Sequence, residues 1–535
     1  GVHGAVSAGH PLAAAAGYEV LRRGGNAVDA AVAMAGVLAV VRPHMNGVGG
    51  DAFALFYDAA TKDVVALNGS GRGGALATPE FFAEAGVQGQ IPAKGALSVS
   101  VPGAVAAWAD ALGRFGTISL AEALGPAIQY ASEGFPVSKR LASDIAGGAG
   151  GLNDPASERY LPGGNPPPPG ALLKNPALAA TLRQIAAEGK DGFYKGAAAR
   201  SISQYLEAQG GYLREGDFAA HTSTWVEPLR SEYEGHTMLV LPPNTQGLAQ
   251  LQLLTMAAQH DLANLRPGSP EYLHTLIELK KLAFADRNQW VTDPEFVDIP
   301  MDALLDDTYL AQRAGLVDQA RAAPAVEAGV PYSPSESGGA GHGPDDVDDS
   351  GDTVYLTAVD QWGNAVSWIQ SLFITFGSGI LEPESGVVLQ NRGALFSLDP
   401  GHPNILAPGK RPYHTLTPLM DLRGEELAFT LGTPGGDSQT QSLAQIINYV
   451  LLYGFTPQEA IEAPRFRSYP GLDVSIEDRI PMATIRDLEG RGHEMRVVSG
   501  WTATFGGAQM IFVDPETGTL AVASDPRREA YGLAY

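Results

Sequence analysis

The sequence of 535 residues contains no cysteine. That absence removes disulfides, thiolate metal sites and cysteine nucleophiles together, and it leaves the redox compartment undetermined. Positive charge is scarce: 35 Lys and Arg stand against 59 Asp and Glu, a net charge of −24. So acidic a surface repels phosphate backbones, which argues against nucleic acid as a partner and for charge as an aid to solubility. No apolar run approaches the ~20 residues that cross a bilayer, so no membrane partner is expected. The opening "GVHGAVSAGHPLAAAAGYEV" lacks a basic stretch followed by an apolar one, so no signal peptide is visible. A cytoplasmic location is favoured on that ground. The start on glycine reads as a trimmed chain, which keeps the periplasm and secretion open. The 11 histidines are scattered without zinc spacing, and neither a P-loop nor a G-x-S-x-G elbow occurs. No metal or cofactor is expected.

What remains is 44% apolar and 18% charged, the composition of a globular chain with ample core. The length suits either two or more domains or one large layered fold. Residues 10 to 41 read as two helices, the second starting at Asn26 as N-cap and apolar nearly all round, hence buried. Strand-like runs follow at Ala52 to Tyr57 and Val64 to Leu67. Helical patterns dominate from about 103 to 290. Residues 322 to 352 are rich in Pro, Gly, Ser and Asp and carry no periodicity, as in an exposed, mobile connection. Two strands come next, Val354 to Val359 and Ala365 to Phe373. Later, "TLGTPGGDSQTQSLAQ" reads as strand, glycine turn and a helix opening near Asp437 or Ser438. The picture is mixed α and β, with strands gathered at the two ends of the chain.

Several candidate sites fail on inspection. An EF-hand frame from Asp346 puts Thr357 where a bidentate Glu belongs, so the acidic loop is solvated rather than calcium-binding. "GSGRGG", residues 69 to 74, opens no helix and has no acidic residue about 20 positions on, so it suits a turn lining a pocket. The seam "DDSGDTVYLTAV" is different. A threonine hydroxyl needs a base. If the Asp352–Thr353 bond is cut, the freed α-amino group, with a reference pKa of about 7.7–8.0, sits on the same residue to serve as one. A mobile segment before the bond and a rigid strand after it suit such a cut. An ordinary strand-opening threonine fits the same pattern. "GTPGGDS", residues 432 to 438, presents backbone N–H groups fit for an oxyanion, or a plain helix cap. Arg411, His414 and Thr415 in "GKRPYHTLTP" could bind an anionic substrate end or pair with the acidic surface.

The fragments "RRGGNAVDAAVA", "DTVYLTAVDQWGNAV", "TFGSGI", "ESGVVLQN", "PGKRP", "TPGG", "EAIEAPRF" and "ASDPRREAYGLAY" occur in an order that resembles the γ-glutamyltranspeptidases. These are N-terminal-nucleophile hydrolases, also called glutathione hydrolases, and the resemblance covers almost the whole chain. It implies self-cleavage between Asp352 and Thr353. A large subunit of residues 1–352, ending in a mobile linker over 321–352, and a small subunit of 353–535 would then share one αββα sandwich. It implies Thr353 as nucleophile, Ser371 as its hydrogen-bonding partner, and Gly435 and Gly436 as oxyanion donors. A homodimer of that heterodimer is compatible with the resemblance.

The substrate pocket departs from the family pattern. The arginine expected for the glutamyl α-carboxylate aligns with Gly69, with Arg72 three residues later. The paired serines correspond to His414 and Thr415, an asparagine to Phe373, and the ammonium-binding glutamine and aspartate to Arg392 and Leu395. Losing the aspartate and gaining Arg392 disfavours a free amino-acid head group. The short segment from Phe396 to Lys410 implies an open pocket without a lid. "NRGALFSLDPGHPN" is similar to the divergent branch holding oxamate amidohydrolases and some acylases. Three readings stand open: an amidohydrolase or acyltransferase for γ-glutamyl or related amides, a hydrolase of small anionic or acyl amides, and a non-catalytic ligand-binding relative.

Overall fold

The computed structural model describes residues 1–331 and 351–535. Most of the acidic connection read from the sequence, with its failed calcium frame, lies outside the described residues.

Two antiparallel sheets are stacked face to face. The first has seven strands in the order Tyr531–Ala534, Ala5–Ala8, Asp352–Val359, Ala365–Phe373, Asp51–Tyr57, Val64–Gly69 and Thr224–Val226. The second has six: Leu520–Ser524, Gln509–Val513, Glu426–Gly432, Leu419–Arg423, His236–Val240 and Leu229–Tyr233. Between them lies a largely apolar layer including Phe53, Leu55, Leu239, Tyr355, Ile369, Met420 and Ile511, bridged by a buried Thr357–Thr430 hydroxyl pair at 2.6 Å. The far face of the first sheet is covered by helices Ala27–Val41 and Ala104–Phe115, which share one core with Val354, Leu356, Val366 and Trp368. The far face of the second is covered by Gly247–Ala257, Pro270–Trp290 and Ser438–Leu451. Helix, sheet, sheet, helix is the layering expected. Because both sheets mix strands from before and after Thr353, neither stretch of chain could bury its apolar surface alone.

Local chemistry explains the elements. The helix Ala27–Val41 opens on a capping box, with the Asn26 side chain taking the Val28 and Asp29 N–H groups and Asp29 reaching back to the Asn26 N–H. Every residue of that helix is buried, as its all-round apolarity requires. One expectation needs correction: strands are not confined to the chain ends. Residues 224–240 form three, in a region read as helical. Two of them make a hairpin whose loop, Glu234–Gly235, has positive φ at both positions (52° and 76°), the geometry a two-residue turn demands. These strands are short and half-exposed, so their apolar alternation is weak.

Candidate active site

Thr353 lies on an interior strand of the first sheet. Register sets it opposite Ser371, and Ser371 opposite Asp51 on the next strand, so one polar row crosses three neighbouring strands. All of it is buried. Thr353 Oγ1 donates to Ser371 Oγ at 3.0 Å, and Ser371 Oγ in turn donates to the Asp352 carbonyl oxygen at 2.8 Å. The Phe373 N–H at 2.8 Å and Arg392 Nη2 at 3.4 Å both donate to that same serine oxygen. Phe373 can do so because the ladder slips between Ser371 and Phe373, leaving Leu372 unpaired and Phe373 at a φ of 86°. Such a bulge re-aims backbone and side chain at one point.

The glycine turn faces the same spot. Gly435 O accepts from the Ser438 N–H at 3.0 Å and Ser438 Oγ at 2.9 Å, so that carbonyl points into the helix start. In a planar trans peptide the N–H points the opposite way, which turns the Gly436 N–H out of the helix. Gly351, two residues before Thr353, packs against it: a Cβ on Gly351 would lie 2.7 Å from Gly436 N. Gly436 itself has a φ of 56°, and Gly435 could not carry a Cβ without meeting Ser438 Oγ at 2.2 Å. Gln246 fixes the far side of the turn, donating to Gly436 O at 3.2 Å and Thr415 O at 2.6 Å.

Arg392 stands on a short 3₁₀ turn with its guanidinium carbon 4.4 Å from the Phe373 ring centre and Nη1 3.1 Å from Thr415 Oγ1. Burial lowers it to about 9, against the pull of the Asp51 carboxylate, so it stays cationic at neutral pH. His414 Nε2 lies 2.9 Å from Asp51 Oδ2, with the ring edge-on to Phe53. Burial, then the Arg392 charge, hold this imidazole well below its usual range, so it is neutral and offers hydrogen bonds rather than charge. Burial also pushes Asp51 up to about 7, although Arg392 and N–H donors from Gly71, Gly103 and Gln390 favour its ionised form.

The structure thus brings Thr353, Ser371, Phe373, Arg392, Thr415 and His414 into one hydrogen-bonded and stacked group, with Gly435 and Gly436 reached through Gly351 and Gln246. Arg72 stands apart from that network: its guanidinium is held by both oxygens of Glu295, at 2.9 and 3.0 Å, a carboxylate that Arg411 also engages. Apart from Arg72, the described residues expected to line the pocket are buried. Thr353, Arg392, His414 and Thr415 are each 3% exposed or less, and Gly351 packs against the glycine turn. The short segment after Phe396 is also tied down, Asn404 bonding the Leu395 carbonyl at 2.7 Å. One potential metal cluster occurs among the described residues, buried His274, Glu278 and His493. The two imidazoles share a 2.8 Å hydrogen bond and Lys281 Nζ lies 2.7 Å from Glu278, while His493 Nδ1 is buried without a hydrogen-bond partner.

The γ-glutamyltranspeptidase family model matches residues 13–535. The chain belongs to that family. It is 40% identical to the glutathione hydrolase-like YwrD proenzyme of Bacillus subtilis, over 97% of this chain and 96% of that one. It is 37% identical to the oxamate amidohydrolase proenzyme of Klebsiella pneumoniae, over 100% and 98%. A solved cephalosporin acylase from Bacillus halodurans superposes with a TM-score of 0.91 at 36% identity, covering 100% of this chain and 96% of that chain. Membership of this γ-glutamyltranspeptidase family makes the protein a hydrolase.

Sequence reasoning missed Asp51, Thr375 and Arg528. Asp51 had a signal, since a carboxylate heading the otherwise apolar, fully buried strand "DAFALFY" needs a reason to be there. Thr375 Oγ1 donates to Asp352 Oδ2, and Arg528 Nη1 lies 3.1 Å from Asp352 Oδ1. Nothing in their local sequence announces that pairing.

Proposed function

We propose that the protein is a self-processing threonine amidohydrolase, with Thr353 as nucleophile and an amide whose acyl part is anionic as substrate. The observation that carries this is the chain of hydroxyls from Thr353 through Ser371 to the Asp352 carbonyl. In the first event Thr353 Oγ attacks that carbonyl carbon, with Ser371 donating to the developing oxyanion. The C–N bond breaks, the Thr353 nitrogen takes up the hydroxyl proton, and water hydrolyses the resulting ester. Asp352 ends as a carboxylate and Thr353 as a free N-terminus.

The catalytic cycle repeats this chemistry on substrate. Thr353 Oγ attacks the amide carbonyl while its α-amino group takes the proton and passes it to the departing amine. The acyl group rests on Thr353 as an ester until water or an acceptor amine removes it. Nearby Arg392 disfavours the ammonium form of the α-amine, raising the neutral fraction near pH 7. The Gly435 and Gly436 turn supplies backbone donors to the tetrahedral oxyanion, each worth ~3–4 kcal/mol in systems where one was removed. Arg392, Thr415 and Phe373 favour an anionic acyl group, and no carboxylate replaces Leu395 to hold an ammonium. A second reading keeps γ-glutamyl amides as substrate, and the family membership favours it.

Incubation of purified protein, a denaturing gel and N-terminal sequencing test the first step. Two bands are expected, the smaller starting Thr-Val-Tyr-Leu; one persistent full-length band, unchanged by Thr353→Ala, would sink the reading. Turnover of γ-glutamyl-p-nitroanilide against oxamate and acylated amines then separates the two substrate classes.

A further inference from the structure

In the uncut chain the acyl group poised beside the Thr353 hydroxyl is that of Asp352 itself. Its side chain is gripped: Thr375 Oγ1 donates to Oδ2, and Arg528 Nη1 lies 3.1 Å from Oδ1. This carboxylate is the ion-pair partner of Arg528 among the described residues, and both side chains are largely buried. Nearby Arg42 is already matched by Asp144 at 3.5 Å and Glu529 at 3.4 Å. If Asp352 leaves, the guanidinium and hydroxyl lose their counter-charge in a poorly solvated place, which is costly until another anion arrives.

We infer that self-cleavage unmasks a carboxylate subsite formed by Arg528 and Thr375, and that it selects acyl groups shaped like the departed aspartyl. This rests on the cut and on Thr353 as nucleophile. In Asp352 the carboxylate carbon is joined to the reacting carbonyl through Cα and Cβ. The matching substrate is a succinyl-type amide, with two carbons between the carbonyl and a terminal carboxylate. Arg528 and Thr375 would hold the far carboxylate while Thr353 reaches the amide carbon. The uncut chain is then its own occupant: Asp352 fills the subsite, and the precursor cannot bind the ligand.

Calorimetric titration with succinate tests this on three proteins: the processed wild type, the uncut Thr353→Ala chain and processed Arg528→Ala. Succinate is expected to bind the processed wild type, about 10- to 100-fold more weakly to Arg528→Ala, and not measurably to the uncut chain. Butyrate, its neutral-ended counterpart, is expected to bind none of them. Should Arg528→Ala fail to process, Thr375→Val serves in its place, with a smaller loss expected. Wild-type kcat/KM for N-succinyl-p-nitroanilide should exceed that for N-butyryl-p-nitroanilide by a similar factor. No succinate binding to processed wild type, or equal binding to the uncut chain, overturns the subsite while leaving Thr353 as nucleophile intact. A wild type that never cuts overturns the Thr353 reading and the subsite with it.

Discussion

Ser371 stands directly across the ladder from Thr353, and its single oxygen lies 3.0 Å from the threonine hydroxyl and 2.8 Å from the Asp352 carbonyl. One hydroxyl therefore touches both the attacking atom and the bond to be cut. Ser371→Ala is expected to slow self-cleavage about 10- to 100-fold, the worth of one hydrogen bond to a charge-developing group. Ser371→Thr should restore most of it. A time course on denaturing gels reads both, and an alanine variant that cuts at the wild-type rate would remove Ser371 from the mechanism.

Gly351 has no room for a side chain, since a Cβ there would sit 2.7 Å from Gly436 N and 2.8 Å from Gly436 Cα, both backbone atoms. Gly351→Ala must therefore lift the scissile segment off the glycine turn. The expected outcome is accumulation of full-length chain at times when wild type is fully cut. Protein that does eventually cut should turn over substrate normally, because residue 351 then belongs to the departed end. Equal cutting rates would mean that the segment before Thr353 needs no fixed position.

The Asp51 carboxyl gives a stability prediction with a definite sign. Burial raises it to about 7 in the folded protein, whereas an unfolded aspartate titrates near ~3.9. Between those values the folded state holds the proton that the unfolded state has released. Stability contributed by this group is present below pH ~4 and is lost as pH rises through about 7. Asp51→Asn mimics the protonated form, still accepting from Gly71 and Gly103 and donating to His414. Its urea midpoint, relative to wild type, should therefore rise between pH 5 and pH 8. A difference that stays constant with pH would contradict the raised value.

Gly432 ends the strand that leads into the glycine turn, and its missing side chain makes room for the ring of Tyr355, two residues after the nucleophile. A Cβ there would come within 2.2 Å of two Tyr355 ring atoms. Gly432→Ala overpacks the layer between the sheets and is expected to cost ~1–3 kcal/mol. Because the displaced ring shares a strand with Thr353, a lower melting temperature should come together with slower cutting. Loss of stability with an unchanged cutting rate would show that the strand absorbs the displacement before it reaches Thr353.

How much of this was legible in the sequence depends on the range of the forces involved. The buried helix Ala27–Val41 and the strand after Asp352 follow from local patterns, and Asn26 and the glycine turn from local backbone needs. The helix predicted near Asp437 or Ser438 starts at Ser438. The strands within 224–240 escaped because they are short and become strands only through pairing across to Asn68 and Leu419. The site divides the same way. Thr353 and the glycines carry recognisable neighbours, whereas Arg528 meets Asp352 across 176 positions and His414 meets Asp51 across 363. Arg72 had the right type and place in sequence, but Glu295, remote in sequence, takes its charge.

Arg392 makes the sharpest case for substrate choice. Its fork reaches Thr415 at 3.1 Å and Ser371 at 3.4 Å while its plane lies over Phe373. A lysine cannot bond two directions from a stacked plane, so Arg392→Lys keeps the charge and loses the geometry. It should lower kcat/KM for anionic amides about 10-fold or more, chiefly by misplacing Ser371. Arg392→Gln removes the charge as well. If the cation is what repels an amino-acid head group, Arg392→Gln with Leu395→Asp should raise turnover of γ-glutamyl-p-nitroanilide relative to oxamate. Leu395 is 3% exposed, so its new carboxylate would need the ammonium as partner, and a melting scan with and without a γ-glutamyl ligand should show stabilisation by that ligand. A double variant that folds, cuts itself and still prefers the anionic amide would show that Arg392 does not set the substrate class.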